Sequence, residues 1–461
     1  MEKTYSSPMA SSFMVSAPGK VIVLGEHAAV YGKPVIAAAI SLRSYLSVKT
    51  LSKSERTVSL NFKDIKMHHT WDIASLPWEA FQQAPGRKLY HSHIDSLDKT
   101  LLAAIKPHVD LVSPNLPEKE RKIHTGSATA FLYLFLSLGS PECHGFVYTL
   151  RSTIPVGAGL GSSASVSVCL STALLIQTRA VSGPHPDQPV KEAEQQLERI
   201  NNWAYAGELC IHGDPSGVDN TVSCQGKAVL FRKNVVDGRV EDKPSFVTPI
   251  DHFPSLRLLL VHTKQPRTTA DQVEKVRRLK NEQPELFEQT LDHIGQLTGK
   301  ALQIFSRPYP DYRHDRQATV EVLGRLFCDN QKLLARLGAS HPLLDRVCEL
   351  AAITNVGWAK LTGAGGGGCA IILPRPNIKE VDEQALDQAL VMEGFEKHEM
   401  VLGAAGVGVL LPALFRNGSH REIEEVSFDA FENAADARSI EELVGIGGQV
   451  DREGWLFWNR S

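Results

Sequence analysis

Residues Pro155 to Ala164 read PVGAGLGSSA, with glycines at 157, 159 and 161 directly before two hydroxyl side chains. A β-branched, aromatic-rich run, Gly145 to Thr153, precedes them; Ser165 to Thr178, apolar and long enough for a buried helix, comes after. The segment is therefore a strand-to-helix turn with unpaired backbone N–H groups. Free donors and the helix dipole both favour an anion there, and the missing Cβ atoms let a phosphate come close. Gly157, Ala158, Gly159, Leu160, Gly161, Ser162 and Ser163 thus read as a cradle for the phosphates of a nucleotide. Ser162 and Ser163 open the helix, where a hydroxyl caps the backbone or ligates a metal. A Walker A loop is excluded, because no Lys followed by Ser or Thr comes after the last glycine. Ala164 fits the third position of a dinucleotide fingerprint, but no short second strand ending in an acid follows. An ordinary glycine-rich turn remains the bland reading of the loop taken alone.

Four other side chains could join this chemistry. Lys20 lies in the turn Ala17-Pro18-Gly19-Lys20, between short strands expected at Phe13 to Ser16 and Val21 to His27. Lys20 and His27 then stand at the ends of a two-stranded unit, facing one cleft. Lys191 to His212 has apolar residues at 197, 200, 204 and 209, which is helical spacing, and Glu208 comes near its end. Pro215 stops that helix, and Gly217 permits a sharp turn that aims Asp219 back into the same space. Singly, each has a plain alternative: a solvated lysine, a satisfied core histidine, a solvated glutamate, a capping aspartate. Jointly they match phosphoryl transfer from ATP, which needs a cradle, a divalent cation held by few protein oxygens, and a proton acceptor. Ser163 and Glu208 supply a hydroxyl and a carboxylate for Mg²⁺, leaving Asp219 as the base. Lys20 beside an acceptor alcohol favours its alkoxide and keeps Asp219 ionised.

These residues must be positioned by a chain of 461, a length that suggests two or three domains. A hydrophobic content of 43% with 22% charged residues is ordinary for a globular protein. The net charge of −3 gives no basic footprint, which argues against nucleic acid as the main partner. The seven cysteines are scattered without a C-x-x-C pair, pointing to reduced thiols rather than a zinc site or disulfide frame. Ala128 to Leu138 is too short to span a bilayer, and no signal-peptide core precedes Phe13, so a cytoplasmic location without membrane association is expected.

In order, residues 1–12 read as a frayed end, Val35 to Ile40 as a helix or buried strand, and Tyr45 to Val48 and Val58 to Phe62 as strands. Ser75 to Pro117 reads as a surface excursion with helical spacing from Ile94 to Val109, before a helix from Ile123 to Leu138. A second half begins near Phe231, with a buried strand Leu256 to His262 followed by the polar run Thr263 to Thr269. Helices are predicted over Ala270 to Phe305, Gln317 to Leu337 and Leu343 to Ala352, and strands over Ala370 to Leu373 and Val401 to Leu411. Four consecutive glycines, 365 to 368, lead into the first of those strands. Ordering them costs backbone entropy, so close approach to a ligand or to the first glycine loop is expected. The acidic-leaning tail, 413 to 461, shows one helical stretch (Ile423 to Leu443), an aromatic end (Trp455 to Trp458) and no visible chemistry.

Three blocks in this order, Ser16 to Lys20 with Gly25-Glu26-His27, Pro155 to Ala164, and Lys360 to Gly368, closely resemble the GHMP kinases. Gly25 to Gly32, Gly207 to Asn220 and Thr263 to Thr269 look most like the branch that phosphorylates mevalonate. The likeness covers roughly residues 13 to 411 and implies an α+β fold of two domains. Residues 1–230 would resemble ribosomal protein S5 domain 2 and bind ATP, and 231–412 would be ferredoxin-like, with the active site between them. Residues 413–461 form an extension of unknown role. The resemblance implies that Gly157 to Ser163 wrap the ATP phosphates and that Ser163 and Glu208 hold Mg²⁺. It makes Asp219 the acceptor of the proton from the primary hydroxyl of mevalonate, with Lys20 beside that hydroxyl. Glu26, His27 and Thr269 would line the substrate pocket, and Gly363, Gly365, Gly366 and Gly367 a supporting glycine loop. A cytosolic homodimer inhibited by prenyl diphosphates is implied as well. A phosphomevalonate kinase would want extra cations, whereas Glu26-His27 suits an uncharged alcohol end. A galactokinase would show an Arg-x-x-Glu-His-x-Asp run, absent here, and a mevalonate diphosphate decarboxylase would lack Gly-Glu-His. A non-catalytic nucleotide sensor is opposed by the joint presence of Lys20, Ser163, Glu208 and Asp219. The adenine contacts are not placed, since 75 to 117 lacks a distinctive pattern.

Overall fold

The computed structural model describes residues 12–83, 94, 96–233, 235–236, 239–240, 246–250, 252–306, 316–417, 422–446 and 452–458. The expected frayed end at 1–11 and residues 84–93 and 95 of the expected excursion lie outside the described residues. The turn expected at Ala17 to Lys20 is not a turn: one strand, Phe13–Leu24, runs through it. Pro18 offers no N–H to a ladder, and the pairing with the next strand shifts register between Pro18 and Lys20 and again between Ile22 and Leu24. Such bulges bend a strand and re-aim its side chains without ending it. Val35 to Ile40 and Tyr45 to Val48 likewise merge into one strand, Val35–Thr50. It is buried on both faces, with Ile36, Ala38 and Ile40 in one core and Val35, Ala37 and Ala39 in another.

The strand before the cradle, Phe146–Ser152, pairs antiparallel with Val35–Thr50 and parallel with Thr57–Phe62. Helix Ser162–Gln177 leaves the cradle and is buried almost all round, as its unbroken apolar sequence requires. Helices Glu118–Leu138 and Val190–His212 pack with it over the largest core.

In the second half, Leu256–His262 lies between Cys369–Pro374 and Glu396–Leu402, all antiparallel, with Gly357–Leu361 at the edge. Leu258 and Leu260 face a core with Phe305, Leu323 and Phe327; Leu259 and Val261 face another with Val276, Leu291, Val347 and Leu386. Burial on both faces explains the unbroken apolar run. The helix predicted over Ala270 to Phe305 is two, Thr269–Glu282 and Pro284–Phe305, because Pro284 can start a helix but not continue one. A bridge between Leu402 and Ile40 joins both sets of strands into one sheet. The result is α+β, helices on antiparallel-dominated strands, as expected. The strand predicted over Val401 to Leu411 divides at Gly403 to Gly406, and its second part, Gly408–Leu410, pairs with Phe13–Leu24.

The helical stretch expected over Ile423 to Leu443 is not continuous. The tail forms strands Leu414–Asn417 and Glu422–Glu425 and short helices Phe428–Glu432 and Ala437–Val444. Phe415, Phe431, Ile440 and Val444 build a core with Met14, Tyr45 and Leu410. Strand Leu456–Phe457 extends the main sheet beside Gly408–Leu410, and the Trp458 indole donates to Gln196 Oε1 at 2.8 Å. Among the described residues, no helix is long and apolar enough to cross a membrane.

Candidate active site

The cradle takes its shape from three left-handed glycines, Gly157 (φ 75°), Gly159 (φ 79°) and Gly161 (φ 72°). Gly161 caps the helix Ser162–Gln177 with no side-chain bond, so the first-turn N–H groups are left for a ligand. Two hydrogen bonds fasten this end to the strand around Lys20, and a third fastens the neighbouring helix to the same strand. Lys20 N donates to Leu160 O at 2.8 Å, Ser165 Oγ to Ala17 O at 2.6 Å, and Ser223 Oγ to Pro18 O at 2.5 Å. Ser223 belongs to helix Val218–Gln225, whose first turn carries Asp219 after the left-handed Gly217. Cradle, lysine and aspartate are thus set by one short stretch of bulged strand.

Lys20 Nζ lies 3.4 Å from Asp219 Oδ1 and donates to Gly159 O at 3.4 Å. Ser163 Oγ donates to Glu208 Oε2 at 3.3 Å and lies 3.0 Å from His212 Nε2. The structure therefore brings Lys20, Asp219, Ser163 and Glu208 together as the sequence predicted. Glu208 is buried, and its Oε1 has no hydrogen-bond partner. Burial first, and then the charge of Asp219, push its carboxyl up to about 8. An orphaned, proton-hungry carboxylate beside a hydroxyl is the environment a divalent cation would relieve. Among the described residues no group of three or more His, Cys, Asp or Glu is arranged to hold a metal alone. The donor set instead fits Mg²⁺, which keeps waters and phosphate oxygens and takes few protein ligands.

Glu26 and His27 come just past the end of the Phe13–Leu24 strand. The Glu26 carboxylate is engaged on both oxygens, by Lys360 Nζ and by Asn330 Nδ2 (2.9 Å), inside a fully buried pair with Lys360. It borders the cleft, yet its charge is spent on Lys360. His27, in a left-handed conformation (φ 62°), reaches Ala364 O with Nε2 at 2.8 Å. Burial holds it below its ordinary value, so it is neutral at pH 7 and donates to that carbonyl. Thr269 opens helix Thr269–Glu282 on the opposite wall, where its Oγ1 accepts from Arg267 Nη1 at 3.5 Å.

Arg267 was not singled out from the sequence. Its guanidinium lies between the two glycine loops: a Cβ on Gly159 would come 2.2 Å from Nη2, one on Gly363 3.3 Å from Nη2, and one on Gly368 2.7 Å from Nε. Its Nε has no partner, and burial lowers its pKa, so it is a poorly satisfied cation beside an anion cradle. The legible signal was a cation in the polar run after the Leu256–His262 strand. His212 was missed too, although it comes one helical turn after Glu208 and so shares its face. Gly363 borders the cleft, whereas Gly365, Gly366 and Gly367 press on Ala339, Gln272 and Gln265 of the protein itself.

Lys20, Glu26, His27, Ser163, His212, Asp219, Arg267, Thr269 and Gly363 border one cleft of about 1000 Å³, and Glu208 is joined to it through Ser163. The cleft's far end is apolar, walled by Phe62, Ile65, Ile123, Val156 and Val166, with Lys119 and Lys122 at the edge.

Comparison with known proteins accords with this geometry. Family models match as the GHMP kinases N terminal domain over residues 126–227 and the GHMP kinases C terminal over 316–390. A galactokinase galactose-binding signature matches residues 2–50, the segment that carries Lys20 and Gly25-Glu26-His27. A mevalonate kinase of Aspergillus fumigatus is 56% identical over 100% of this chain and 85% of its own length. The human mevalonate kinase is 33% identical over 86% of this chain and 94% of its own. The crystal structure of L. major mevalonate kinase in complex with R-mevalonate shares the fold, with a TM-score of 0.58 at 21% identity, over 87% of this chain and all of that one. With identity of this order across its whole length, the chain belongs to the mevalonate kinase family of the GHMP kinases.

Proposed function

We propose that this chain transfers the γ-phosphoryl group of ATP to the primary hydroxyl of (R)-mevalonate, giving mevalonate 5-phosphate and ADP for isoprenoid and sterol precursor synthesis. The observation that carries this reading is the Lys20–Asp219 couple, 3.4 Å apart, in the same cleft as an open phosphate cradle. Family membership supplies the acceptor. Asp219 takes the hydroxyl proton as the oxygen attacks, and Lys20 stabilises the developing alkoxide. Backbone N–H groups from Gly157 to Ser163 and the guanidinium of Arg267 take the charge of the transferring phosphoryl. Ser163 and Glu208 would hold the Mg²⁺ that accompanies ATP, and bound there it neutralises charge on the phosphates. His27 and Thr269 border the acceptor, Glu26 fixes His27's neighbourhood through Lys360, and Gly363 closes the cleft. The apolar far end receives the base.

Two lobes, 1–230 and 231–412, flank this cleft in our reading, with 413–461 as an added segment. An apolar wall beside a phosphate cradle also suits a prenyl diphosphate, which supports feedback inhibition at the nucleotide end. A cytoplasmic homodimer is inferred from the family resemblance.

A coupled ADP-release assay with Mg-ATP and either mevalonate or its 5-phosphate tests the reading. Turnover is expected with mevalonate alone. Asp219→Asn should lose roughly 10²–10⁴ in kcat, the worth of general-base help, and keep ATP binding. ATP binding without mevalonate-dependent ADP release would make the chain a sensor. Activity on the 5-phosphate only would make it a phosphomevalonate kinase.

A further inference from the structure

The extension after Pro412, which showed no chemistry in the sequence, reaches back to the strand that enters the phosphate cradle. Glu441, on helix Ala437–Val444, accepts from Tyr45 Oη at 2.9 Å, and Thr153 Oγ1 lies 3.4 Å from the same carboxylate oxygen. Thr153 is buried two residues before Pro155, where the cradle begins. It is pinned to Arg43 as well: its N–H donates to Arg43 O at 2.8 Å, its Oγ1 accepts from Arg43 N at 2.9 Å, and its one hydroxyl proton is shared between Arg43 O, at 3.3 Å, and Glu441. Arg43 is fully enclosed, and its guanidinium donates to Ser16 Oγ (2.7 Å), Ser16 O (3.2 Å), Ala405 O (2.7 Å) and Gly406 O (2.6 Å). Ser16 stands four residues before Lys20 on the bulged strand. Phe457, also from the extension, lies against the Arg43 guanidinium, 5.8 Å from ring centroid to Cζ. One buried network thus ties the extension to both chain segments that set the active geometry, the cradle's entry and the strand of Lys20.

We propose that Glu441 is a positioning residue for phosphoryl transfer, acting through Thr153 and Arg43 on the placement of the cradle relative to Lys20. The second link supports this: Gly19 packs against both ends of the cradle's entry, a Cβ there meeting Leu160 O at 2.9 Å and Ile154 Cδ1 at 3.1 Å. Arg151, just before, donates from Nη1 to Phe431 O (3.2 Å) and Glu432 O (2.8 Å), so the extension grips the same strand at a second point. The acceptor oxygen does the holding, and a neutral amide in the same place keeps it.

This rests on the kinase reading of the cleft, and the two fail differently. Absence of mevalonate-dependent ADP release in the unaltered chain sinks the reading; an unaffected variant of an active enzyme sinks this inference alone. The test uses the full chain, with kcat per active site, KM for both substrates and Tm measured for four variants. Glu441→Ala should lower kcat about tenfold, short of the 10²-fold that an ångström of misplacement costs, with KM for mevalonate little changed. Glu441→Gln, which keeps the acceptor, should restore most of kcat. Thr153→Val, removing the hydroxyl, should reproduce the loss, and it carries the test if Glu441→Ala does not fold. Val444→Ala hollows the extension's core on the same helix without touching Thr153, and should lower Tm yet leave kcat at its starting value. Unchanged kcat in Glu441→Ala and Thr153→Val, no recovery in Glu441→Gln, or an equal kcat loss in Val444→Ala would each overturn the proposal.

Discussion

The two glycine loops look alike in sequence and do opposite things with the space a glycine leaves. At the first, a Cβ on Gly157 would meet nothing within 4 Å, and those on Gly159 and Gly161 would first meet Arg267, Lys20 and Asp219. The room belongs to the cleft and its charged groups. At the second, a Cβ on Gly365 would sit 1.9 Å from Ala339 O, and those on Gly366 and Gly367 would run into Gln272 and Gln265. At 365 to 367 the room is filled by the chain itself, and only Gly363 and Gly368, at the loop's two ends, face Arg267 as Gly159 does. Glycine is silent about what approaches it, so composition cannot tell the cases apart. The residues just C-terminal to each loop do: hydroxyls at a helix start leave donors free, whereas the second loop runs straight into the strand Cys369–Pro374, whose ladder uses them.

Adding one methyl to each loop should separate chemistry from stability. Gly161→Ala places a Cβ 3.0 Å from Lys20 Cγ at a φ of 72°. Lys20 has to give by a few tenths of an ångström; where about an ångström of misplacement at a reacting group costs on the order of 10² in rate, this smaller shift costs on the order of 10. We expect kcat to fall by about that factor, while the left-handed strain costs ~1–3 kcal/mol of stability. Turnover within threefold of the parent would break the assignment of Lys20 to the reaction.

Gly365→Ala should do the reverse. Its Cβ meets a backbone carbonyl that also accepts from Gly366 N at 2.9 Å, so no side-chain rotation relieves the clash. A loss of about 3 kcal/mol is expected, read as a lower urea midpoint, with kcat per folded molecule near the parent value. A variant that keeps its midpoint and loses kcat would place the second loop in the chemistry after all.

Much of the site was legible because its information is local. Glycine spacing, a pair of hydroxyls directly after it, and a helix stop before Asp219 are patterns within ten residues or so of one another. The illegible part depends on contacts far apart in the chain. Glu26 reads as a pocket carboxylate until Lys360 and Asn330, more than 300 residues away, take its charge. Arg267 looked like one polar residue in a run, and only the meeting of two loops makes it a cradle cation. The strand break expected at Pro18-Gly19 failed for another reason. Proline and glycine usually punctuate, but a bulge absorbs both while the strand continues. The tail was misread because its apolar residues answer to Met14, Tyr45 and Leu410 rather than to one another.

The smallest effect concerns the tie between the second loop and the Phe13–Leu24 strand. His27 donates from Nε2 to Ala364 O, within that loop, and this requires the neutral ring. Burial holds His27 below 6.5, opposed by the Ala364 bond and the charge of Glu26. The unfolded chain therefore takes up a proton near pH 6.5 that the folded one refuses, and stability falls as pH drops through that value. The contribution is fully present above pH 6.5 and shrinks below it until the folded ring also protonates. His69, His262 and His398 are lowered by burial as well, so the parent's own pH profile cannot isolate His27. The difference from His27→Gln can, since glutamine offers an amide donor and does not titrate. With urea midpoints taken from pH 8 to pH 5, the parent should lead at the alkaline end and its lead should narrow below pH 6.5. A lead independent of pH would mean that the ring takes up its proton at the same pH folded as unfolded, and a lead that widened as pH fell would mean that the folded ring holds its proton more tightly. The bond to Ala364 would then be charge-assisted, and the second loop would be tied down more strongly than its packed glycines alone require.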